Sequence, residues 1–458
     1  MRIIIDFVYL LAAVAISPMV IYRVIRHKRY RTGWANRFGK IARKYPQRKC
    51  IWLHAVSVGE VNATRTIVKE LKNRFADFEI VISTTTDTGF AQAAAIYGTH
   101  HTVFYFPLDL SCIMSRAFRQ IQPAICLLME LEVWPNFVQI AQQLNIPVVV
   151  VNGRMTEKSF AGYSRIKPIA KRIFQKLTLI LAQTDEYARR FKEIGTPDEN
   201  VIVTGSLKYD TAQITDKVEG ADDLAAQLNI DNSEKVWVAG GTGNDEEKIL
   251  LDVYQSLKQQ DQFSDLRLVI VPRKPERFDE VAQLIQEADL PLIRYSRTKK
   301  SAADNTDKSK TDTVTLGDTP PCHSERSEAE RRISKQPVIL GDTMGDLRKF
   351  YSLATIIFVG RSLVPMGGSD MIEAAALGKT TIFGPHTFNF KQTVDALLEG
   401  YGAILVKDKQ DLLRAMQKCL TEPNFAQKIA QNGQEIIKKN QGATKKNVNQ
   451  IAKFLNTT

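Results

Sequence analysis

Short, continuous apolar runs alternate with amphipathic segments from Cys50 onward. The first series of runs is CIWLHAV, FEIVIST, TVFYFPL, AICLLM, IPVVVVNG, LTLILAQT and NVIVTGS. Runs of this length that are rich in β-branched residues, with helical patterns between them, are typical of parallel strands buried on both faces. The pattern therefore predicts an α/β lobe.

A second series of the same kind follows: KVWVAGG, LRLVIVP, LPLIRYS, PVILGD, TIIFVG, TTIFGP and GAILV. It predicts a second doubly wound α/β lobe. The strand signal is lost between Tyr209 and Lys235, so we place the first lobe at 26–215 and the second at 216–458. Ligands of doubly wound sheets bind at the carboxyl ends of the strands, and we therefore expect the site in a cleft between two facing lobes.

Residues 296–335 interrupt the second series with a polar, charged segment that has almost no large apolar side chains. Such a composition buries too little apolar surface to offset the entropy lost on ordering. We expect a flexible surface insert between two strands of the second lobe.

The N-terminal segment is apolar, without a charge from Phe7 to Tyr22. Basic residues follow it at five positions: Arg23, Arg26, Lys28, Arg29 and Arg31. A secretory signal has its positive charges before the apolar stretch, whereas this order keeps the following chain in the cytoplasm. We predict an uncleaved membrane anchor helix at 1–25, although a bilayer span needs about 20 apolar residues and this stretch is short. The alternative is a buried N-terminal helix of a soluble domain.

Composition excludes wholesale disorder, because 44% of the 458 residues are hydrophobic and 24% are charged, as in folded soluble proteins. The net charge of +12 favours an anionic partner: nucleic acid, a membrane surface or a phosphorylated substrate. Nucleic acid is the weakest of these, since the excess cations cluster beside the apolar segment and near the C-terminus.

The five cysteines are scattered without C-x-x-C spacing, so we expect neither a disulfide framework nor a metal site.

Polar side chains follow several predicted strands of the first lobe. In SVGE, Glu60 comes after a strand that ends at His54, close to a helix predicted to begin near Asn62. A carboxylate there suits a general base, or it could merely stabilise the helix N-terminus. In MELEVWPN, Glu130 and Glu132 follow another strand, and one of the two could be structural. Further strands end in a polar group: Asn152, Arg154, Ser159, Ser206 and Lys208.

Glycine-rich turns and cations follow the strands of the second lobe. The turn with Gly240, Gly241 and Gly243 could hold phosphate through its amides, but its order differs from G-x-G-x-x-G. Pro272 and Arg273 end the next strand and offer a cation suited to phosphate or carboxylate.

The segment FVGRSLVPMGGSDMIEAAALGK is the strongest nucleotide candidate of the second lobe. A helix predicted from about Ser369 would place Asp370 and Glu373 on one face after a glycine-rich loop. Backbone amides would hold phosphate and Glu373 would hold ribose hydroxyls. Structural capping of the helix is the alternative.

Eight motifs occur in order from about Tyr30 to Thr444: SVGE, ISTTTDTGF, MELEVWPN, NGRMTEKS, TGSLKYD, VPRKPERF, GDTMGDL and GGSDMIEAAALGK. Together they resemble the 3-deoxy-D-manno-octulosonic acid (Kdo) transferases, glycosyltransferase family 30. The resemblance implies a GT-B fold with two Rossmann-like lobes. It implies transfer of Kdo from CMP-Kdo to a lipid A precursor in lipopolysaccharide core biosynthesis. The location implied is the cytoplasmic face of the cell inner membrane, with membrane lipid as a partner and no cofactor beyond the donor substrate.

The resemblance also assigns roles to residues. The family's proton acceptor falls on Glu60, and its transition-state stabilisers fall on Glu130 and Lys208. Its CMP contacts fall on a larger set: Pro272, Arg273, Met344, Gly345, Asp346, Asp370, Met371, Ile372 and Glu373. The family commonly has Glu where Asp346 stands and a His-Asn pair where Ser369 and Asp370 stand, so Asp370 puts a charge in place of an amide.

Inverting transfer of a keto sugar needs one base for the acceptor hydroxyl and cations for the departing phosphate. We assign these roles to Glu60 and to Lys208 and Arg273. CMP leaves as a monophosphate, so a diphosphate-chelating Mg²⁺ is not required. Two alternatives stay open: a GT-B glycosyltransferase that uses another nucleotide sugar such as a UDP-sugar, and a catalytically inactive membrane adaptor, which would be expected to lack Glu60.

Overall fold

The computed structural model describes residues 2–27, 32–215, 218–231, 233–299 and 336–456. It divides the chain into two units, one formed by Met1–Thr211 with Asn440–Thr458 and the other by Ala212–Lys439. Each unit is built on a sheet of seven parallel strands. This confirms the two predicted α/β lobes with parallel sheets.

The sheet of the first unit has the strand order β3-β2-β1-β4-β5-β6-β7. Its strands are β1 (Cys50–His54), β2 (Glu79–Thr84), β3 (Thr102–Tyr105), β4 (Pro123–Met129), β5 (Val148–Gly153), β6 (Leu179–Ala182) and β7 (Val201–Val203). Its helices are α1 (Arg2–His27), α2 (Trp34–Arg37), α3 (Val58–Arg74), α4 (Asp87–Tyr97), α5 (Ser111–Ile121), α6 (Pro135–Gln143), α7 (Glu157–Arg165), α8 (Lys167–Phe174), α9 (Asp185–Ile194) and α10 (Leu207–Thr211). A 3₁₀ turn covers Asp198–Asn200.

Both faces of this sheet are buried, as the continuous apolar runs predict. Successive side chains of a strand point to opposite faces, so Trp52 of β1 packs into one cluster and Leu53 into another. On the first face, the Trp52 ring lies 4.9 Å from the Phe137 ring of α6. On the second face, Leu53 joins a cluster that includes Ile67 of α3. The helices cover the two faces of the sheet with apolar side chains, so we expect polar functional groups at its carboxyl edge.

The sheet of the second unit has the order β10-β11-β9-β8-β12-β13-β14. Its strands are β8 (Lys235–Thr242), β9 (Leu266–Pro272), β10 (Leu292–Arg294), β11 (Val338–Leu340), β12 (Ile356–Val359), β13 (Thr380–Phe383) and β14 (Ile404–Leu405). Its helices are α11 (Ala221–Gln227), α12 (Glu246–Lys258), α13 (Phe278–Glu287), α14 (Leu347–Leu353), α15 (Ile372–Ala376), α16 (Lys391–Glu399), α17 (Lys409–Thr421) and α18 (Pro423–Asn440). The 3₁₀ turns are Asp261–Phe263, Pro275–Arg277 and Phe388–Phe390.

The last helix, α19 (Ala443–Leu455), packs on the first unit, whereas the sequence placed all of 216–458 in the second lobe. Asp210 accepts a 2.7 Å hydrogen bond from the Gly442 N–H, and Asn447 donates a 2.9 Å bond to the Thr204 hydroxyl. Ile451 of α19 is buried in the same cluster as Ile67 of α3. The chain therefore returns to the first unit at its end.

The predicted anchor segment forms helix α1, which belongs to the first unit. Across the described residues, no helix is long and apolar enough to cross a membrane, so the predicted transmembrane helix is not supported. The helix nevertheless leaves large apolar side chains exposed: Phe7, Val8, Leu10, Leu11, Val14, Ile16, Met19 and Tyr22.

The sequence predicted an insert at 296–335, but the segment that begins at Ser296 is part of the second unit. Residues 296–299 are helical, and Asp342 accepts a 2.7 Å hydrogen bond from the Ser296 N–H and a 2.6 Å bond from its hydroxyl. This segment is therefore tied to the second unit. The rest of the predicted insert, 300–335, lies outside the described residues.

Candidate functional site

The carboxyl ends of β1 and β4 are neighbours, because these strands pair with His54 beside Leu128. The chain leaves β1 into helix α3, which carries Glu60, and leaves β4 directly into Glu130 and Glu132. The structure thus brings together the two carboxylate motifs of the first unit.

Glu60 lies in the first turn of α3, since this helix begins at Val58 and not near Asn62 as the sequence predicted. Its carboxylate accepts a 2.8 Å hydrogen bond from the Val56 N–H and a 3.0 Å bond from the Ser57 hydroxyl. Ser57 in turn accepts a bond from the Glu60 N–H, as in a capping box. These bonds fix the orientation of the Glu60 carboxylate and show that it stabilises the start of α3. This stabilising role does not exclude a role of the same carboxylate in proton transfer.

Glu130 adopts a left-handed backbone conformation, with φ of 53°. Its N–H donates a 3.0 Å hydrogen bond to the Val151 carbonyl at the end of β5, which fixes the start of the loop. Such a conformation is uncommon outside glycine, and strained backbone of this kind is enriched at functional sites. Two residues later, Glu132 accepts a 3.2 Å bond from the Trp134 indole N–H.

Neighbouring carboxylates contribute to the raised pKa values of Glu60 and Glu132. Burial, and then the charge of Glu130, raise the pKa of Glu60, against the hydrogen bonds from Val56 and Ser57. Burial, and then the charge of Glu60, raise the pKa of Glu132 to about 7. A carboxylate with an elevated pKa is a better general base near neutral pH than an ordinary one. Sequence reasoning named Glu132 only as one of a pair, because its partners are known only from the folded loop.

Lys208 lies on the short helix α10, which contacts α3, the helix of Glu60. The start of α10 is fixed by Asn152 at the end of β5, whose side-chain oxygen accepts a 3.0 Å bond from the Leu207 N–H. Asn152 is itself left-handed, with φ of 56°. A half-buried cation is therefore held at the carboxyl edge of the sheet that carries the glutamates.

In the second unit, the two glycine-rich motifs contact each other. The Ser369 hydroxyl donates a 2.8 Å bond to the Gly241 carbonyl, and the Ser369 N–H donates a 3.0 Å bond to the Gly360 carbonyl. A side chain at Gly240 would lie within 2.4 Å of the Tyr351 ring, so only glycine fits there. The loops after β8 and β12 thus form one packed structure.

Glu246, a buried residue of α12, holds this structure together. Its carboxylate accepts backbone N–H groups from Gly243 (3.2 Å), Arg361 (2.6 Å), Ser362 (3.0 Å) and Leu363 (3.0 Å). Four donors satisfy the two oxygens of a fully buried carboxylate. Sequence reasoning missed this residue, because the loop it binds lies more than a hundred residues later in the chain.

The segment from Asp370 to Glu373 departs from its predicted geometry. Helix α15 begins at Ile372 and not at Ser369, because Asp370 accepts a 2.9 Å bond from the Ile372 N–H outside the helix. Met371 and Ile372 are buried, so their side chains belong to the core. Burial, and then the charge of Asp370, raise the pKa of Glu373.

The other predicted CMP contacts also lie at strand ends of the second unit. Pro272 ends β9, and the exposed Arg273 donates its N–H to the Thr242 carbonyl at 3.1 Å. After β11, Met344 is exposed and Gly345 is left-handed with φ of 92°.

Asp346 lies at the start of α14, and its carboxylate is already bound by cations. Its two oxygens pair with Lys299 and Lys349, each at 3.0 Å, and Thr343 donates a further 2.8 Å bond. Burial alone would raise the pKa of Asp346, but these bonds outweigh it and lower the pKa. Within the described ranges, no group of three or more histidine, cysteine, aspartate and glutamate residues could hold a metal ion.

Comparisons with known proteins agree with the motifs. A family model described as 3-deoxy-D-manno-octulosonic-acid transferase (kdotransferase) matches residues 32–211. The chain is 31% identical over 433 residues to the 3-deoxy-D-manno-octulosonic acid transferase of Haemophilus influenzae, covering 94% of this chain and 93% of that one. It is 27% identical over 471 residues to the corresponding protein of Bordetella pertussis, covering 98% and 99%.

Solved structures agree with the fold. A crystal structure of a glycosyltransferase from Rickettsia africae superposes with a TM-score of 0.56 at 12% identity, covering 90% of this chain and all of that one. At this identity the likeness shows the fold alone, which is a two-lobed Rossmann-like glycosyltransferase fold.

Proposed function

This chain belongs to the 3-deoxy-D-manno-octulosonic acid transferase family, and on that premise we propose that it moves Kdo from CMP-Kdo to a lipid A precursor. It is a Kdo-transferring glycosyltransferase of lipopolysaccharide biosynthesis. The observation that carries the chemistry is the carboxylate cluster at the ends of β1 and β4, in which Glu60 is fixed by two hydrogen bonds and has a raised pKa.

Glu60 is the general base in this proposal. The acceptor hydroxyl oxygen attacks the anomeric carbon of Kdo while Glu60 takes the hydroxyl proton. The bond from that carbon to the phosphate oxygen breaks, and its electron pair leaves with CMP. A single displacement of this kind inverts the anomeric configuration. Glu130 and Lys208 stabilise the developing charges, the lysine acting on the departing phosphate.

The CMP moiety binds the second unit. The proposal is supported by Arg273 at the end of β9, an exposed cation suited to phosphate. It is also supported by the loops after β8 and β12, which Glu246 and Ser369 hold in one conformation. Glu373 would accept hydrogen bonds from ribose hydroxyls. Asp346 contributes through the turn that it stabilises, because its carboxylate is already paired with Lys299 and Lys349.

The protein works, in this proposal, at the cytoplasmic face of the cell inner membrane, attached by α1. Among its described side chains, the helix exposes eight large apolar ones, and five basic residues accompany or follow it in the sequence. An apolar helix beside cations suits binding in the interface of an anionic bilayer. Such attachment would bring the first unit to an acceptor whose acyl chains stay in the membrane.

The donor claim is tested by ligand-induced stabilisation of the purified full chain. CMP and CMP-Kdo should raise its unfolding temperature at concentrations where UDP and a UDP-sugar have little effect. Protection by the UDP-sugar and none by CMP-Kdo would contradict the proposed donor.

A further inference from the structure

Asp6 of helix α1 binds the segments that begin helices α5 and α6. Its Oδ1 accepts a 2.9 Å hydrogen bond from the Ser111 N–H and another of 2.9 Å from the Asn136 side-chain amide. The Ser111 hydroxyl donates to the other carboxylate oxygen. The one acidic residue within the apolar segment is therefore engaged with the first unit.

Tyr9, one turn further along α1, binds the same segments through Asp109. Its hydroxyl donates a 3.1 Å bond to Asp109 Oδ2. Asp109 also accepts the N–H groups of Asn136 at 3.0 Å and Phe137 at 2.8 Å. The residue before α6, Trp134, provides no side-chain cap, so Asp109 caps this helix from another part of the chain.

These contacts fix the far end of the loop that carries the candidate glutamates. The loop begins at Glu130, held by the Val151 carbonyl, and ends at Asn136, held by Asp6 and Asp109. Between them, Trp134 positions Glu132 through its indole N–H and packs its ring 5.8 Å from the Phe106 ring. Because only one residue separates Trp134 from Asn136, we expect a shift of Asn136 to move Trp134 and the Glu132 carboxylate that it binds.

Two sides of α1 thus have different surroundings. Asp6 and Tyr9, three residues apart, lie on the side that contacts the first unit. Val14, on another side, is 71% exposed. A single helix therefore carries both the exposed apolar surface and the contacts that support the loop 130–136, which we call the catalytic loop.

We propose that α1 is a positioning element for the catalytic loop, in which Asp6 and Tyr9 hold Asn136 and Asp109 so that the loop keeps Glu130 and Glu132 in place at the carboxyl edge of the sheet, where Glu60 acts. The inference rests on the proposed function of this loop and adds that the helix serves the chemical step as well as membrane attachment. Asp6 and Tyr9 are positioning residues, because they act through the loop and not on the substrate.

The test uses the full chain with detergent-dispersed lipid A precursor and CMP-Kdo, so that membrane attachment does not limit the rate. Asp6→Ala and Tyr9→Phe should lower kcat by about tenfold or more, since small displacements of catalytic groups can cost about a hundredfold. The acceptor KM and CMP affinity should stay within about twofold of wild type. Asp77→Ala and Tyr45→Phe, the same changes at exposed sites of the first unit, should leave kcat unchanged.

Asp6→Asn provides a rescue, because its amide oxygen can still accept the Ser111 and Asn136 donors. Asp6→Asn should recover most of the kcat that Asp6→Ala loses. If catalysis required the negative charge of Asp6, Asp6→Asn would recover none of it. Wild-type kcat in Tyr9→Phe and Asp6→Ala would overturn the inference, and so would equal losses in Asp6→Ala and Asp6→Asn. If Asp6→Ala does not fold, the kcat of Tyr9→Phe tests the inference instead, because this variant removes only a hydroxyl group. Failure of the wild-type chain to transfer Kdo would instead count against the proposed function.

Discussion

The carboxylate of Glu60 accepts a 2.8 Å hydrogen bond from the backbone N–H of Val56, four residues earlier in the chain. One side chain thus closes the turn between β1 and α3 and presents a carboxylate at the end of β1, the strand that pairs with the one leading into Glu130. A variant at this position must preserve the turn if its effect on catalysis is to be interpreted.

Glu60→Gln meets this requirement, because an amide can still accept from Val56 and donate to the Ser57 oxygen. We expect kcat to fall by about 10² or more, the usual contribution of general-base catalysis, with CMP affinity unchanged. Steady-state kinetics and CMP titration measure the two quantities. Ser57→Ala, which removes one bond to the carboxylate but keeps the base, should lose much less activity. Turnover near wild type in Glu60→Gln would refute the assignment.

The raised pKa of Glu132 predicts a pH-dependent stability. A carboxyl whose folded-state pKa, about 7, exceeds its unfolded value stabilises the fold at low pH and loses that contribution as pH rises to about 7. Glu132→Gln has no ionisable carboxyl at this position, so its free energy of unfolding does not fall for this reason as pH rises. We expect its stability relative to wild type to increase between about pH 4.5 and pH 7, by about 1 to 3 kcal/mol, and then to level off. Thermal unfolding across pH measures this, and a pH-independent difference would contradict the burial of Glu132.

Glu246→Gln should weaken nucleotide binding without removing any group that contacts the nucleotide. Its amide NH₂ would face backbone N–H groups of Gly243 and Arg361 or of Ser362 and Leu363. Leaving buried donors unsatisfied costs about 1 to 3 kcal/mol, so we expect a lower unfolding temperature and at least tenfold weaker CMP binding. Glu435→Gln, the same change on an exposed part of α18, is the matched control. Unchanged CMP affinity would show that the loop does not depend on Glu246.

The proposed attachment of α1 to lipid predicts that its exposed side binds vesicles. Val14→Asp should lower the partition of the full chain onto vesicles containing phosphatidylglycerol by about tenfold or more, because a carboxylate is costly in an apolar layer. Tyr401→Asp places the same charge at a site in the second unit that is 74% exposed and should have little effect. Equal partition of wild type and Val14→Asp in a sedimentation assay would contradict attachment through this side.

Much of the scaffold could be predicted because its signals are local. The β-branched runs define strands, and parallel strands bring Glu60 and Glu130 to one edge whatever lies between them. Contacts between distant segments have no such signal. The four donors of Glu246 and the return of α19 to the first unit depend on which segments meet in the fold.

The helix at Asp370 was misplaced, and the contacts of Asp6 were missed, for a different physical reason. The apolar pattern of the N-terminal segment gives Asp6 no partner, whereas its carboxylate accepts hydrogen bonds from Ser111 and Asn136. The helical pattern placed Asp370 on a face with Glu373, whereas Asp370 lies two residues before the helix and its side chain accepts the N–H of Ile372, the first helical residue. In both cases a short acidic side chain finds specific donors, which periodicity does not report.

Kdo transfer is tested most directly by the mass of the lipid product that the purified full chain forms with CMP-Kdo and a lipid A precursor. We expect this mass to increase by one or more whole Kdo residues, with one CMP released for each. An unchanged lipid mass with CMP-Kdo, together with product formation from a UDP-sugar under the same conditions, would contradict it.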